Sequence, residues 1–98
     1  MQLAKVAGQV VATVKEGGMS SFKLLLVQDA TAASPERATG PLYVAIDLVG
    51  AGEGEIVLVV KGSGARVPAE AVAAPVDCAV VAIADSVIRN GTVTYRKS

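Results

Sequence analysis

The sequence predicts a mainly β chain, folded as a small barrel or sandwich with at most one or two helical turns. Three observations predict it. Short runs rich in Val, Ile and Leu recur along the chain, each bounded by Gly, Pro, Asn, Asp or Ser. The chain is 98 residues long, the size of one domain, and its core can be only modest. Pro68 and Pro75 break the one stretch, 63–77, that could otherwise hold a helix.

In chain order, LAKVAGQVVATV (3–14) alternates, with Val6, Val10, Ala12 and Val14 on one parity and Gly8 between them. KEGGMSS (15–21) is a turn in which Gly17 and Gly18 can take positive φ. FKLLLVQD (22–29) is the second strand, and ATAASPERATGP (30–41) is the longest polar loop. LYVAIDLV (42–49) and EIVLVVKG (55–62) are strands flanking GAGEGE (50–55). Ser63 is suited to cap a short helical turn in 63–77. CAVVAIADSVIR (78–89) is apolar enough for helix or strand, and its β-branched content favours strand. Asn90-Gly91 marks a type I′ hairpin leading into a closing strand, TVTYRKS (92–98).

LLLV, IVLVV and CAVVAIA are apolar on both parities. Strands buried on both faces ordinarily have helices over the second one, and this chain has almost no helix to offer. The expectation is that copies of the chain cover each other's outer faces.

Composition excludes several functions. Nine basic and nine acidic residues give zero net charge, which argues against a partner held by bulk charge. With no His, His-based triads and His metal sites are impossible. One cysteine, Cys78, allows no internal disulfide and suits a reducing compartment. No apolar run reaches the roughly 18 residues of a membrane span, and the N-terminus, interrupted by Lys5 and Gln9, lacks a signal-peptide layout. A soluble, cytosolic protein is expected.

The three alternate glycines, Gly50, Gly52 and Gly54, invite a phosphate-loop reading that the context rejects. Glu55 and Ile56 follow where Lys and Ser/Thr would be needed, a strand follows where a helix would be needed, and Glu53 and Glu55 would repel phosphate. The loop reads instead as a tight connection, or as small residues that let copies crowd around a symmetry axis. The acids, Asp29, Asp47, Asp77 and Asp85 among them, mostly flank turns and read as solvated. Ser63 has no base to activate it unless Lys61 serves, and Cys78 in its apolar run reads as a small buried hydrophobe. Phe22, Tyr43 and Tyr95 are too few to stack single-stranded nucleic acid, and Lys61, Arg89, Arg96 and Lys97 read as a solvated rim.

AKVAGQVVATVK (4–15), FKLLLVQ (22–28), VAIDLVGAGEGEIVLVVKGSGAR (44–66), APVDCAVVAIADSV (74–87) and the closing Tyr95-Arg96-Lys97, in this order and spacing, resemble the EutN/CcmL family. Its members are the pentameric vertex proteins of bacterial microcompartment shells. The resemblance implies one five-stranded, OB-like β-barrel domain over 1–98, five copies closing around a five-fold axis, and hexameric shell proteins as neighbours in the bacterial cytoplasm. It implies a structural role with no catalysis, cofactor or metal, and no nucleic-acid or membrane partner. It places Gly50, Ala51, Gly52, Glu53, Gly54 and Glu55 near the axis or its opening. The sequence departs from the family pattern at Ser21, where a glycine is usual, and at Cys78, where a small residue such as Ala is usual. The competing reading is an OB-like oligomeric binding module for a small molecule or single-stranded nucleic acid.

Overall fold

The computed structural model describes residues 1–11, 23–62 and 77–98. Their strands are β1 (Gln2–Val10), β2 (Lys23–Asp29), β3 (Leu42–Asp47), β4 (Ile56–Lys61), β5 (Cys78–Ile83), β6 (Ser86–Arg89) and β7 (Thr92–Arg96). The first five close into a barrel in the order β1-β2-β3-β5-β4, and β6 and β7 form a separate two-stranded sheet. Neighbours in the barrel are antiparallel except β3 and β5, which meet in a short parallel seam at Ile46–Ala79 and Asp47–Val80. This is the five-stranded, OB-like closed barrel that the resemblance implies. No helix occurs among the described residues; the helical turn expected in 63–77, with Ser63, Pro68 and Pro75, lies almost wholly outside them, as do Phe22 and Gly17-Gly18.

The strand period of two sorts the residues. Ala4, Val6, Leu25, Val27, Ala45, Val57, Val59 and Val80 point inward and pack as one core, each 2% exposed or less. Most are small, because the interior of a five-stranded barrel is narrow and large side chains would overfill it.

Two expectations about the strands need correcting. Val6 and Val10 do not share a face. A bulge between Val6 and Gly8 puts Val6 opposite inward Val27 but Val10 opposite outward Leu24. The run 78–89 is not one strand. The amide of Ala84 donates to the carbonyl of Ile56 at 2.8 Å, and after Asp85 the chain leaves the barrel to pair with β7. Apolar content could not reveal this break, since both halves are β-branched. The hairpin turn is as expected: Asn90 (φ 53°) and Gly91 (φ 77°) are both left-handed, as a type I′ turn requires.

The second face of the barrel is divided. Ile46 and Ala79 are fully buried there, with Leu24, Leu48 and Val81 packed around them. Farther along β3, Leu42 and Val44 are exposed, as are Ile88 and Val93, which are cross-strand partners on the hairpin. The loop 30–41 is less polar in its role than in its composition. Pro35 is fully buried, the Lys5 ammonium donates to the Glu36 carbonyl at 3.1 Å, and the Thr94 hydroxyl donates to the Ala32 carbonyl at 2.6 Å. The loop therefore straps β1 to β7.

Leu25→Ala should cost about 3–5 kcal/mol, through lost transfer energy and a cavity in a core too small to collapse around it. Val93→Ala should leave the stability of the single chain within about 0.5 kcal/mol. Urea unfolding of dilute protein checks both.

Candidate functional site

The glycine loop follows β3, and its organising group is Asp47. This residue occupies an inward register position at the end of β3, opposite Lys23. Its carboxylate is almost fully withdrawn from water, with the side chain 1% exposed. One oxygen, Oδ1, accepts the backbone N–H groups of Val49 (3.1 Å), Gly50 (3.1 Å) and Ala51 (3.3 Å). The other, Oδ2, lies 3.5 Å from the Lys23 ammonium, which also donates to the Ala51 carbonyl at 3.0 Å. The loop is thus wound around a buried negative charge. Gly50 takes φ +76° to make the winding possible.

The expectation that the acids are solvated fails at Asp47. The sequence did carry a signal for it: an Asp followed three positions later by Gly suits a side chain that caps its own downstream amides.

The second half of the loop is a turn over 52–55. The Glu55 amide donates to the Gly52 carbonyl at 3.1 Å, and Gly54 sits at φ +90°, the position a type II turn reserves for glycine. Gly54 N–H donates to the Val6 carbonyl (2.8 Å) and Val6 N–H to the Glu55 carbonyl (2.9 Å), so the turn extends the β1–β4 ladder. Glu55 Oε1 accepts the Gly52 amide, and Oε2 lies 3.0 Å from the Lys97 ammonium. These bonds, first to Gly52 and then to Lys97, hold the Glu55 carboxyl below its ordinary value. Glu53 is exposed and Ala51 fully buried. Gly52 has no positive φ, and a Cβ there would meet only Glu55 Oε1, at 3.4 Å. Two of the three glycines answer to backbone conformation and one does not.

This geometry gives the phosphate-loop reading a structural refutation. The amides of Val49, Gly50 and Ala51 already serve the protein's own carboxylate, and that of Gly52 serves Glu55.

A second polar cluster lies at the opposite end of β2 and β3. Asp29 accepts from Lys61 (2.7 Å) and from the Tyr43 hydroxyl (2.6 Å), and the Lys61 ammonium stands 4.4 Å from the centre of the Tyr43 ring. Desolvation pushes the Asp29 carboxyl up, but the Lys61 and Tyr43 hydrogen bonds together outweigh it and leave it below 3.8. Burial, then Asp29, pushes the Tyr43 hydroxyl up. Cys78 is half-buried, and burial followed by the charge of Asp77 pushes its thiol up.

Lys61 is therefore engaged with Asp29, while Ser63 lies outside the described residues. Among the described residues Lys61 pairs with Asp29 and Lys97 with Glu55, at different places on the barrel. Tyr95 is buried, and Tyr43 carries Lys61 rather than presenting a free stacking face. Among the described residues no group of three or more His, Cys, Asp or Glu side chains is placed to hold a metal ion.

Barrel order, parallel seam and internally satisfied loop define the class: a small OB-like barrel whose conspicuous glycine motif is architectural. The family model for ethanolamine utilisation protein EutN/carboxysome matches residues 1–85, and the chain belongs to the EutN/CcmL family. It is 44% identical over 98 residues to the bacterial microcompartment shell vertex protein EutN of Salmonella typhimurium, covering 99% of this chain and 96% of that one. Among solved structures it superposes on Gloeobacter violaceus CcmL with a TM-score of 0.86 at 39% identity, covering 99% and 98% of the two chains. It superposes on the GrpN pentameric microcompartment shell protein of Rhodospirillum rubrum with a TM-score of 0.74 at 43% identity, covering 91% and 98%.

Asp47→Ala should cost about 3–5 kcal/mol, because it leaves three loop amides and a lysine without their buried partner. Gly50→Ala and Gly54→Ala should each cost about 1–2 kcal/mol through left-handed strain, and Gly52→Ala less than either. Denaturant midpoints of the four variants give the order.

The lowered carboxyls of Asp29 and Glu55 also set a pH dependence. Their contribution is fully present above their unfolded values, 3.8 and 4.5, and is lost as pH falls through the lower folded ones. Stability should fall with acid below about pH 4.5, and Asp29→Asn should flatten part of that slope. Thermal melts across the acid range check it.

Proposed function

We propose that this protein is a vertex protein of a bacterial microcompartment shell, a single-domain barrel over 1–98 that works by assembling into a pentamer. The observation that carries this reading is the near-complete overlap, at 43–44% identity, with a protein named as a shell vertex protein and another named as a pentameric shell protein. The surface agrees with it. Leu42 and Val44 on β3 and Ile88 and Val93 on the hairpin are exposed by 43–65%, and apolar side chains grouped in this way mark an interface. A ring closes when two different patches of one chain meet on its neighbour by a repeated rotation.

In this reading the protein is structural and catalyses nothing. Its further partners are hexameric shell proteins, with no nucleic acid or membrane, and its place is the shell of a compartment in the bacterial cytoplasm. The loop Gly50, Ala51, Gly52, Glu53, Gly54 and Glu55 borders the five-fold axis. Exposed Glu53 then faces the solvent of the opening, where five like charges are screened, and Glu55 is neutralised by Lys97.

Native mass spectrometry tests the assembly. A dominant species near five times the 9.9 kDa chain mass is expected, and a monomer would overturn the reading. Gly52 tests the loop's placement. The single chain has ordinary backbone and near-open space there, so Gly52→Val should fold. It should nevertheless lose the pentamer if five loops crowd one axis. A normal Gly52→Val pentamer would move the loop away from the axis.

A further inference from the structure

Glu55 has two partners that lie far apart in the chain. Its Oε1 accepts the Gly52 amide inside the glycine loop. Its Oε2 sits 3.0 Å from Lys97, directly after β7. Lys97 in turn closes the base of the hairpin, since its backbone N–H donates to the Asp85 carbonyl at 2.8 Å. One carboxylate therefore ends the glycine loop and ties down the hairpin that carries exposed Ile88 and Val93.

We propose that Glu55 is a two-ended latch that couples the glycine loop to the β6–β7 hairpin, so that releasing it loosens both together. A carboxylate with two oxygens can serve a backbone amide and an ammonium at once, and each bond strengthens the carboxylate's hold on the other by restricting its rotation. A neutral or absent side chain at this position keeps neither charge-assisted bond. The latch belongs to the single chain and does not rest on the pentamer. In a ring it would fix the angle between the loop and the hairpin, the kind of angle that decides whether a repeated contact closes.

Among the described residues, the charged and titratable groups that act on the latch are Lys97, Lys23, Asp85 and Tyr95. Lys97 faces Glu55 from the end of the chain, and Lys23 acts on it from the start of β2 while bonded to Asp47 and Ala51. Asp85 and Tyr95 flank Lys97 from the hairpin. Both cations favour the ionised carboxyl, so acid is the condition that opens the latch.

The test is an NMR titration of the full chain from neutral pH into acid, following the Gly52 amide and the methyl groups of Ile88 and Val93. The expected result is one common midpoint below 4.5 for loop and hairpin signals. Glu55→Gln should abolish that shared step. Lys97→Met keeps the apolar stem, and should raise the Gly52 midpoint by about 0.2–0.7 pH units, the size of an exposed ion pair. In that variant the Ile88 and Val93 methyls should no longer follow the Gly52 step. Separate midpoints, a shared step that persists in Glu55→Gln, or a Gly52 midpoint unmoved by Lys97→Met would each overturn the coupling. Oligomeric state is read separately on the same samples. Loss of coupling in an intact pentamer sinks the latch alone, and coupling in a monomer sinks the vertex reading alone.

Discussion

A carboxylate buried at the end of β3 organises the glycine loop of this molecule. Asp47 carries a charge withdrawn from water, and such a charge is tolerated only where donors converge on it. Here the donors are three consecutive loop amides and Lys23. The consequence runs both ways. The loop winds around the carboxylate with Gly50 in the left-handed region, and the three amides and Lys23 hold the carboxylate in place. Glycine-rich loops are ordinarily the place to look for mobility or for a bound phosphate. This one is anchored at Asp47, at Val6 and at Glu55.

Each end of the β2–β3 pair carries an ion pair, a buried Asp47 with Lys23 at one and a partly exposed Asp29 with Lys61, joined by Tyr43, at the other. Between them the described residues pack an interior mainly of Val, Leu and Ala. The chain holds eighteen charged residues at zero net charge. Several are spent in opposite-sign pairs at strand ends, where they tie loops to the barrel. A groove for single-stranded nucleic acid needs unpaired cations and free aromatic faces, and here Tyr43 and Lys61 occupy each other.

What remains exposed and apolar lies on β3 and on the hairpin. The loop 30–41 covers part of the barrel exterior through Pro35 and its bonds to Lys5 and Thr94. Ile46 and Ala79 are buried on that second face, but Leu42 and Val44 on the same strand face are not. A fold that covers one part of a strand's outer face and leaves the next part bare is suited to a neighbour supplying the remainder, which fits a family whose structures include pentamers.

Much of the fold was legible in the sequence because its signals are local. Apolar runs and the Asn-Gly turn place the strands, and order and spacing of the motifs identify the family. The absence of His and the balanced charge excluded whole classes of chemistry before any geometry was known. The bulge at Val6–Gly8, the break at Ala84-Asp85 and the burial of Asp47 were decided by tertiary structure. A bulge is set by which residues face each other across a ladder, and a break by which strand the chain can still reach. Burial of an acid depends on donors that the fold brings to it. Gly50, Gly52 and Gly54 look equivalent as letters. They differ because the chain winds left-handed around a carboxylate at the first and through a turn at the third, and passes through ordinary backbone at the second.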